Sequence, residues 1–567
     1  MSSFSSLWLM AFGLGFYLFG WFVYSKLLAK KLWRLQESFT TPAHALRDDR
    51  DFIPTNKYIL WGHHFTAVTG AAPIVGPAVA VQWGWLPALL WVVLGTVFFA
   101  GVYDTSALWA SVRSEGKSIG SVCTQLLGRR IGMLLMVVIF LLVLMVNGVF
   151  SLIIAKESVD NPMTVIPAWG SIVLALFAGQ LIYRYGVKLW LVTIVSVVAL
   201  YSLLPIGVVL PVHLPDGMLG MSPNQQWLVI LFVYAAFAST LPVWMLLQPR
   251  DYINGIQLVV GLCLLYLALL LASPPVVAPA VIPAILDNGD WGKIFPLLFV
   301  TIACGAISGF HALVSSGTSS KQVNDYQDIR FIGYLGALGE GTLALATILC
   351  CVAGWGLLFG ADGLPGPWQD LYKGGQRYFV DAGGEVIHQG LGLSMGISST
   401  LLSLMIVLFA ATTMDVCIRL QRYIVQEWGD MLDMPWLRNV KVATAISVAT
   451  SFALAWGGQG ENGDNQVPIW PLMGATNQLF AAMCFSVISL LMLRMNRVKS
   501  TLFLLIPMAL IMTMSFWGAL VKLGDYYNQS NWLLVSMAIA VLVVSVLVVL
   551  GSLREMTSLL RQRKAQA

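Results

Sequence analysis

The chain has 567 residues, 58% of them hydrophobic and only 10% charged, with a net charge of +5. Soluble domains carry about one-quarter charged residues, so water is excluded as the main solvent. The basic residues sit at the ends of apolar runs and report orientation in a membrane, not a nucleic-acid surface. The seven cysteines lie in or beside those runs without the spacing of a metal or redox centre.

A bilayer core of about 30 Å needs about 20 apolar residues per helix. On that criterion about fifteen spans are predicted, at 7–25, 59–82, 85–112, 131–155, 164–183, 187–212, 226–248, 252–273, 294–317, 332–360, 390–418, 440–456, 467–493, 500–521 and 532–552. No dyad alternation of barrel strands occurs, so the fold class is all-α and polytopic. The first span lacks a basic leader and ends in aromatic residues, which predicts a retained helix and not a cleaved signal.

The second span carries Gly62, His63, His64, Thr66, Gly70, Pro73, Gly76 and Pro77, a density of breakers that predicts unwinding. In the third, Asp104 lies about nine residues from the span end, about 13 Å deep, and is the candidate proton or ion site. A hydrogen-bonded structural carboxylate is the alternative there. The seventh span has a milder break at Ser239, Thr240 and Pro242, followed by Trp244. Breaks five spans apart and opposite in direction predict a five-plus-five inverted repeat with substrate and ion near its middle.

In the ninth span Ser308, His311 and Ser315 recur on one helical face, followed by Ser316, with Cys304 one turn earlier. The candidate substrate-binding residues are thus His63, His64, Thr66, Gly70, Ser239, Thr240, Trp244 and His311. Ion or proton coupling is expected at Asp104, Ser308, Ser315 and Ser316. Histidine titrates near neutral pH, so His311 could take a substrate carboxylate when charged and release it when neutral. Glu340 in the tenth span is left without a role. Arg113, Arg250, Asp251, Asp415 and Arg419 are read as structural charges, with Asp415 and Arg419 at the spacing of a helical ion pair.

Four regions are expected: 1–58, an N-terminal helix and basic linker; 59–212, the first repeat; 213–424, the second repeat with external loops 274–293 and 361–389; and 425–567, accessory C-terminal helices. Alternating the spans sends 27 of the 32 basic residues to one side and 5 to the other. That split predicts an external N-terminus and a cytoplasmic C-terminus.

Several stretches together resemble one family. They are Trp61-Gly-His-His-Phe65 with residues 70–77, Tyr103-Asp104 leading to Arg113, Gln248-Pro-Arg-Asp-Tyr252, Ser308-Gly-Phe-His311 running to Lys321, Thr412-Thr-Met-Asp415 with Arg419, and Trp470-Pro-Leu-Met-Gly474 with Asn477-Gln478. In these the chain resembles the carbon starvation protein A family. The resemblance implies a leucine-transporter-like core of the amino acid–polyamine–cation superfamily in a bacterial inner membrane. It also implies secondary active import of short peptides or a pyruvate-like carboxylate, used under carbon limitation. Proton coupling is expected, with sodium as the other possible ion. A sodium-coupled amino-acid transporter is the alternative.

An intramembrane metallo-enzyme would use His63, His64 and His311, but the chain lacks H-E-x-x-H and adjacent histidines cannot share one helical face. No enzymatic activity, cofactor or metal is expected, and the expected partners are the substrate and membrane lipids, with no nucleic acid.

Overall fold

The structure is a computed structural model that describes residues 5–48, 51–241, 245–282, 294–359, 375–458 and 469–566. Among them it is helical, with two isolated bridges, Ser5 to Pro275 and Thr55 to Val323. Twelve helices are long and apolar enough to cross a membrane, and one further pair, Lys57–Thr69 and Ala72–Trp83, is bent by 46°.

In chain order we label α1 Ser6–Lys31, α2 Lys57–Thr69, α3 Ala72–Ala80, α4 Trp85–Arg113, α5 Ile119–Leu127, α6 Arg129–Asp160 and α7 Pro162–Ile182. Next come α8 Leu189–Val209, α9 Pro223–Thr240, α10 Leu247–Ala272, α11 Leu297–Thr301, α12 Phe310–Gly317 and α13 Arg330–Leu358. The rest are α14 Gln376–Leu391, α15 Met395–Met431, α16 Val440–Gly457, α17 Trp470–Arg494, α18 Val498–Asn528 and α19 Trp532–Gln566. Side-chain caps start many of them: Ser222 and Gln225 form a reciprocal box at α9, and Asn56, Ser118 and Ser394 cap α2, α5 and α15.

Two spans are discontinuous. The first breaks where predicted, at Gly70, whose φ of +53° suits glycine and precedes Pro73. The second is the ninth span, expected as a continuous helix with a polar face. It stops at Thr301, runs non-helically through 302–309 with Gly305 at φ +90°, and resumes at Phe310. Its freed backbone groups are met by buried side chains, as depth in a membrane requires. Trp91 Nε1 donates to Ile302 O at 3.0 Å, Thr96 Oγ1 to Gly305 O at 2.8 Å, and Tyr103 OH to Gly309 O at 3.0 Å; Phe310 N donates to Asn477 Oδ1 at 2.8 Å.

The two breaks lie side by side. A Cβ at Gly76 would sit 2.6 Å from Thr301 O, and one at Gly305 would sit 3.5 Å from Pro73 Cβ. One sequence number rises as the other falls, so the segments run antiparallel.

In the seventh span the helix stops at the expected break. Its helix ends at Thr240, Leu241 is extended at ψ 150°, and α10 begins at Leu247. The residue before a proline disfavours helix, so Ser-Thr-Leu-Pro ends α9 instead of kinking it. Pro242 and Trp244 lie outside the described residues. The predicted external loop 361–389 is also partly helical. In α14, Phe379, Ala382, Gly383 and Val386 are buried against α10, α13 and α15. It was missed because an amphipathic helix fails a span-length test.

Two of the long helices, α6 and α15, pack together and against α9 and α16. Around them one order of elements recurs: a broken span, a long span (α4, α13), a short helix (α5, α14), a helix of more than 30 residues (α6, α15) and two further helices (α9 and α10; α16 and α17). The hairpin α7–α8 interrupts only the first set.

The basic linker is folded as well. Trp33 is fully buried, donating from Nε1 to Ser106 Oγ at 2.9 Å while its carbonyl accepts from Arg497.

Candidate functional site: two polar centres at the broken spans

The first centre abuts the 302–309 break. Asp104 from α4, His311 from α12 and Glu340 from α13 are all fully buried. His311 Nδ1 lies 2.7 Å from Asp104 Oδ2, and its Nε2 lies 3.4 Å from Glu340 Oε2. Asp104 Oδ1 and both Glu340 oxygens have no hydrogen bond among the described residues. One imidazole is thus wedged between two carboxylates in an apolar interior. Beside it, Asn477 Nδ2 donates to Ser308 Oγ at 3.0 Å, and Cys304 Sγ lies 3.3 Å from the same oxygen.

Of the expected coupling residues, Asp104 and Ser308 meet here with His311. Ser315 is buried nearby on α12 with its hydroxyl unpartnered. Ser316 instead ties α12 to α5, accepting from Ile119 N at 3.1 Å. Glu340 and Asn477 complete the centre. In the sequence Glu340 was open between the bundle interior and the inner interface, and Asn477 stood out only within a stretch that carries the family resemblance.

The second centre surrounds Gly70. A Cβ there would lie 3.0 Å from Thr413 Oγ1 of α15 and 3.3 Å from the Phe150 ring of α6. Thr413 Oγ1 is buried without a hydrogen bond; neighbouring Thr412 Oγ1 accepts from Asn254 Nδ2 of α10 at 2.7 Å. Thr66 bonds within its own helix to Gly62 O and packs against Gly255 of α10. His64 is fully buried, 2.9 Å from Ser319 Oγ, with its ring against Gly336 of α13. His63 points away from it to Asp251 of α10, at 3.4 Å.

The remaining candidates fall elsewhere. Ser239 and Thr240 sit at the end of α9, where Arg422 donates to Ser239 O and Arg419 donates to Ala238 O and Leu241 O; Thr240 is exposed. Asp415 does not pair with Arg419, four residues on. Its buried partner is Arg250 of α10, with Tyr234 donating to the same carboxylate oxygen at 2.8 Å. A facing helix offered a shorter reach than the next turn. Arg113 stacks on the Phe39 and Tyr326 rings. Asp251, expected as a structural charge, faces His63.

Against known proteins, the chain is 27% identical to the peptide transporter CstA of Helicobacter pylori J99, covering 93% of this chain and 83% of that one. It is 28% identical to the pyruvate/proton symporter BtsT of Escherichia coli, covering 93% and 84%, and 29% identical to the peptide transporter CstA of Bacillus subtilis, covering 89% of each. Among solved structures, the manganese transporter of Eremococcus coleocola with a bis-isothiourea compound superposes with a TM-score of 0.50 at 9% identity, over 91% of this chain and 99% of that one, a likeness of fold. The apolar helices and bacterial relatives make this a multi-pass inner-membrane protein. The family model of carbon starvation protein CstA matches residues 5–359 and 371–518, and with the broken spans and their polar centres in place the chain belongs to that family.

Proposed function

We propose that the chain is a secondary active transporter that imports a short peptide or a pyruvate-like carboxylate together with protons. The observation that carries this is the Asp104–His311–Glu340 cluster. With all three groups ionised it holds two negative charges and one positive. A single charge at the bilayer centre costs about 2.5–3.5 kcal/mol by insertion scales. One bound proton removes the excess, so loading and losing that proton is the natural work of the site. The imidazole nitrogens stand between the carboxylates, where a sodium ion would need oxygen ligands, and this favours the proton.

Substrate is assigned to the Gly70 break. The helix is interrupted between Thr69 and Ala72, and Phe150 and the free Thr413 hydroxyl flank the gap. The two repeats are read as 57–272 and 297–494, which moves the start of the second from 213 to 297 and pairs the first break with the 302–309 break. That reading rests on the recurring element order.

Purified protein in proteoliposomes with an inward proton gradient should accumulate pyruvate or a di- or tripeptide. Uptake that a protonophore leaves unchanged would remove the proton from the mechanism; no uptake of any panel member would remove the substrate class.

A further inference from the structure

We infer that His63 and Asp251 form a second proton-binding site, which latches the inner half of the first broken span to α10 and opens it when the proton leaves. This rests on the transporter reading only for the direction of flux; the latch itself is an equilibrium property of the protein.

The geometry is that of a buried acid with one exit. Asp251 is fully buried and neither of its oxygens makes a hydrogen bond among the described residues. His63 lies 3.4 Å away, and its side chain keeps 19% exposure. A carboxylate buried this deeply is tolerated when paired with an imidazolium or protonated itself, and is costly when left charged beside a neutral ring. Through His63 the pair reaches the protein surface, whereas the Asp104 cluster is wholly enclosed.

The element that the pair holds is a short helix between two interruptions of the backbone. α2 is bounded by the positive-φ Gly70 at one end and by the loop that leads to Lys57 at the other. It meets α10 on a glycine surface, where a Cβ at Gly255 would lie 3.3 Å from Gly62 O. Small residues let two helices touch closely while few side chains interlock. The neighbouring charges are committed elsewhere. Arg250 pairs with Asp415, Arg419 donates to carbonyls of α9, and Lys57 pairs with Asp328. His64 bonds Ser319, Glu340 faces His311, and Arg330 bonds Ser25 and Trp21 O. Arg250 also acts on Asp251 through space, but its hydrogen bonds go to Asp415 and Tyr234; His63 is the cation in contact with Asp251 among the described residues.

The sign follows. With the proton present, imidazolium and carboxylate attract and α2 stays on α10. When it leaves, the carboxylate can be solvated only if α2 swings out, which opens the path on that face. Proton release and inner opening are then one event.

The test uses full-length protein carrying Gly62→Cys and Cys263→Ser, labelled in detergent with a membrane-impermeant maleimide, with Cys263→Ser alone setting the background. A residue at position 62 has open space around it. Its labelling rate should rise about fivefold between about pH 6 and about pH 8. Asp251→Asn should make the rate independent of pH. His63→Arg should keep it low throughout, because its cation does not leave. An Asp104→Asn background should preserve the pH response. A rate equal at both pH values in the parent, or a response unchanged in both Asp251→Asn and His63→Arg, would overturn the latch. So would loss of the response in Asp104→Asn. Failure of every substrate in the uptake panel would sink the transport reading and leave this result standing.

Discussion

Asp104 and Asp415 are both fully enclosed carboxylates, and they differ in what neutralises them. Asp415 faces Arg250, a permanent cation, with Tyr234 adding a hydrogen bond. Asp104 faces an imidazole that a second acid also contacts. Removing the charge should therefore act differently at each. In Asp415→Asn the Arg250 guanidinium stays buried without a counter-ion, a cost of about 3–5 kcal/mol, and the thermal unfolding midpoint in detergent should fall sharply. In Asp104→Asn an amide can still bond the ring, so stability should shift by no more than about 1 kcal/mol. Gradient-driven uptake should nevertheless fall to background. A stable Asp415→Asn variant, or normal uptake by Asp104→Asn, would reverse the assignment. The sequence made Asp104 visible because depth in an apolar span is a one-dimensional property. It misdirected Asp415 because spacing records neighbours on one helix, while the true partner lies 165 residues away. His63 and His64 were separable in outline, since consecutive residues on a helix diverge, but their partners on α10 and at Ser319 were not.

The same contrast holds for whole elements. The first break could be read because Gly70, Pro73, Gly76 and Pro77 remove backbone hydrogen bonds within a few turns. The second was signalled only by glycines, which serve close packing as readily as unwinding. In fact Gly309 does both. It belongs to the non-helical stretch, and a Cβ on it would lie 2.1 Å from Asn477 O and 2.7 Å from Ala481 N. Both atoms are backbone of α17 and cannot turn aside. Gly309→Ala should therefore destabilise the protein by about 1–3 kcal/mol and displace the segment that leads into His311. Gly62→Ala meets nothing within 4 Å and sits inside a helix, so it should be neutral or stabilising by up to about 1 kcal/mol. Melting curves of the two variants in one detergent test the distinction. Equal behaviour would mean that the close approach of the break to α17 is not needed for folding. At Ser239 a proline after hydroxyl residues looks the same at a helix end as at a kink, and the arginines of α15 that cap α9 mark it as an end.

At the scale of the molecule, the basic residues separated in the sequence assemble physically at one end. The segment after α1 buries Trp33 against Ser106 near the end of α4 and accepts from Arg497 at the start of α18. Lys321, following α12, lies over the Phe52 ring; Lys57 pairs with Asp328; and Arg330 bonds the carbonyl of Trp21. Three segments that charge alternation sends to one side, 26–57, 321–330 and 494–499, therefore share one cap. Lys and Arg gather on the cytoplasmic face, so this cap should be internal, and so should the mouth into which His63 opens. In a Cys263→Ser background, Gln529→Cys, exposed between α18 and α19, should react with an impermeant maleimide added to intact cells. Arg561→Cys, exposed near the end of α19, should react only after permeabilisation. The reverse pattern would turn the protein over and make the His63–Asp251 latch an outer gate, closing against incoming substrate instead of releasing it. Labelling of both positions from outside would instead mean that α19 does not cross, and would remove one crossing from the alternation on which the orientation rests.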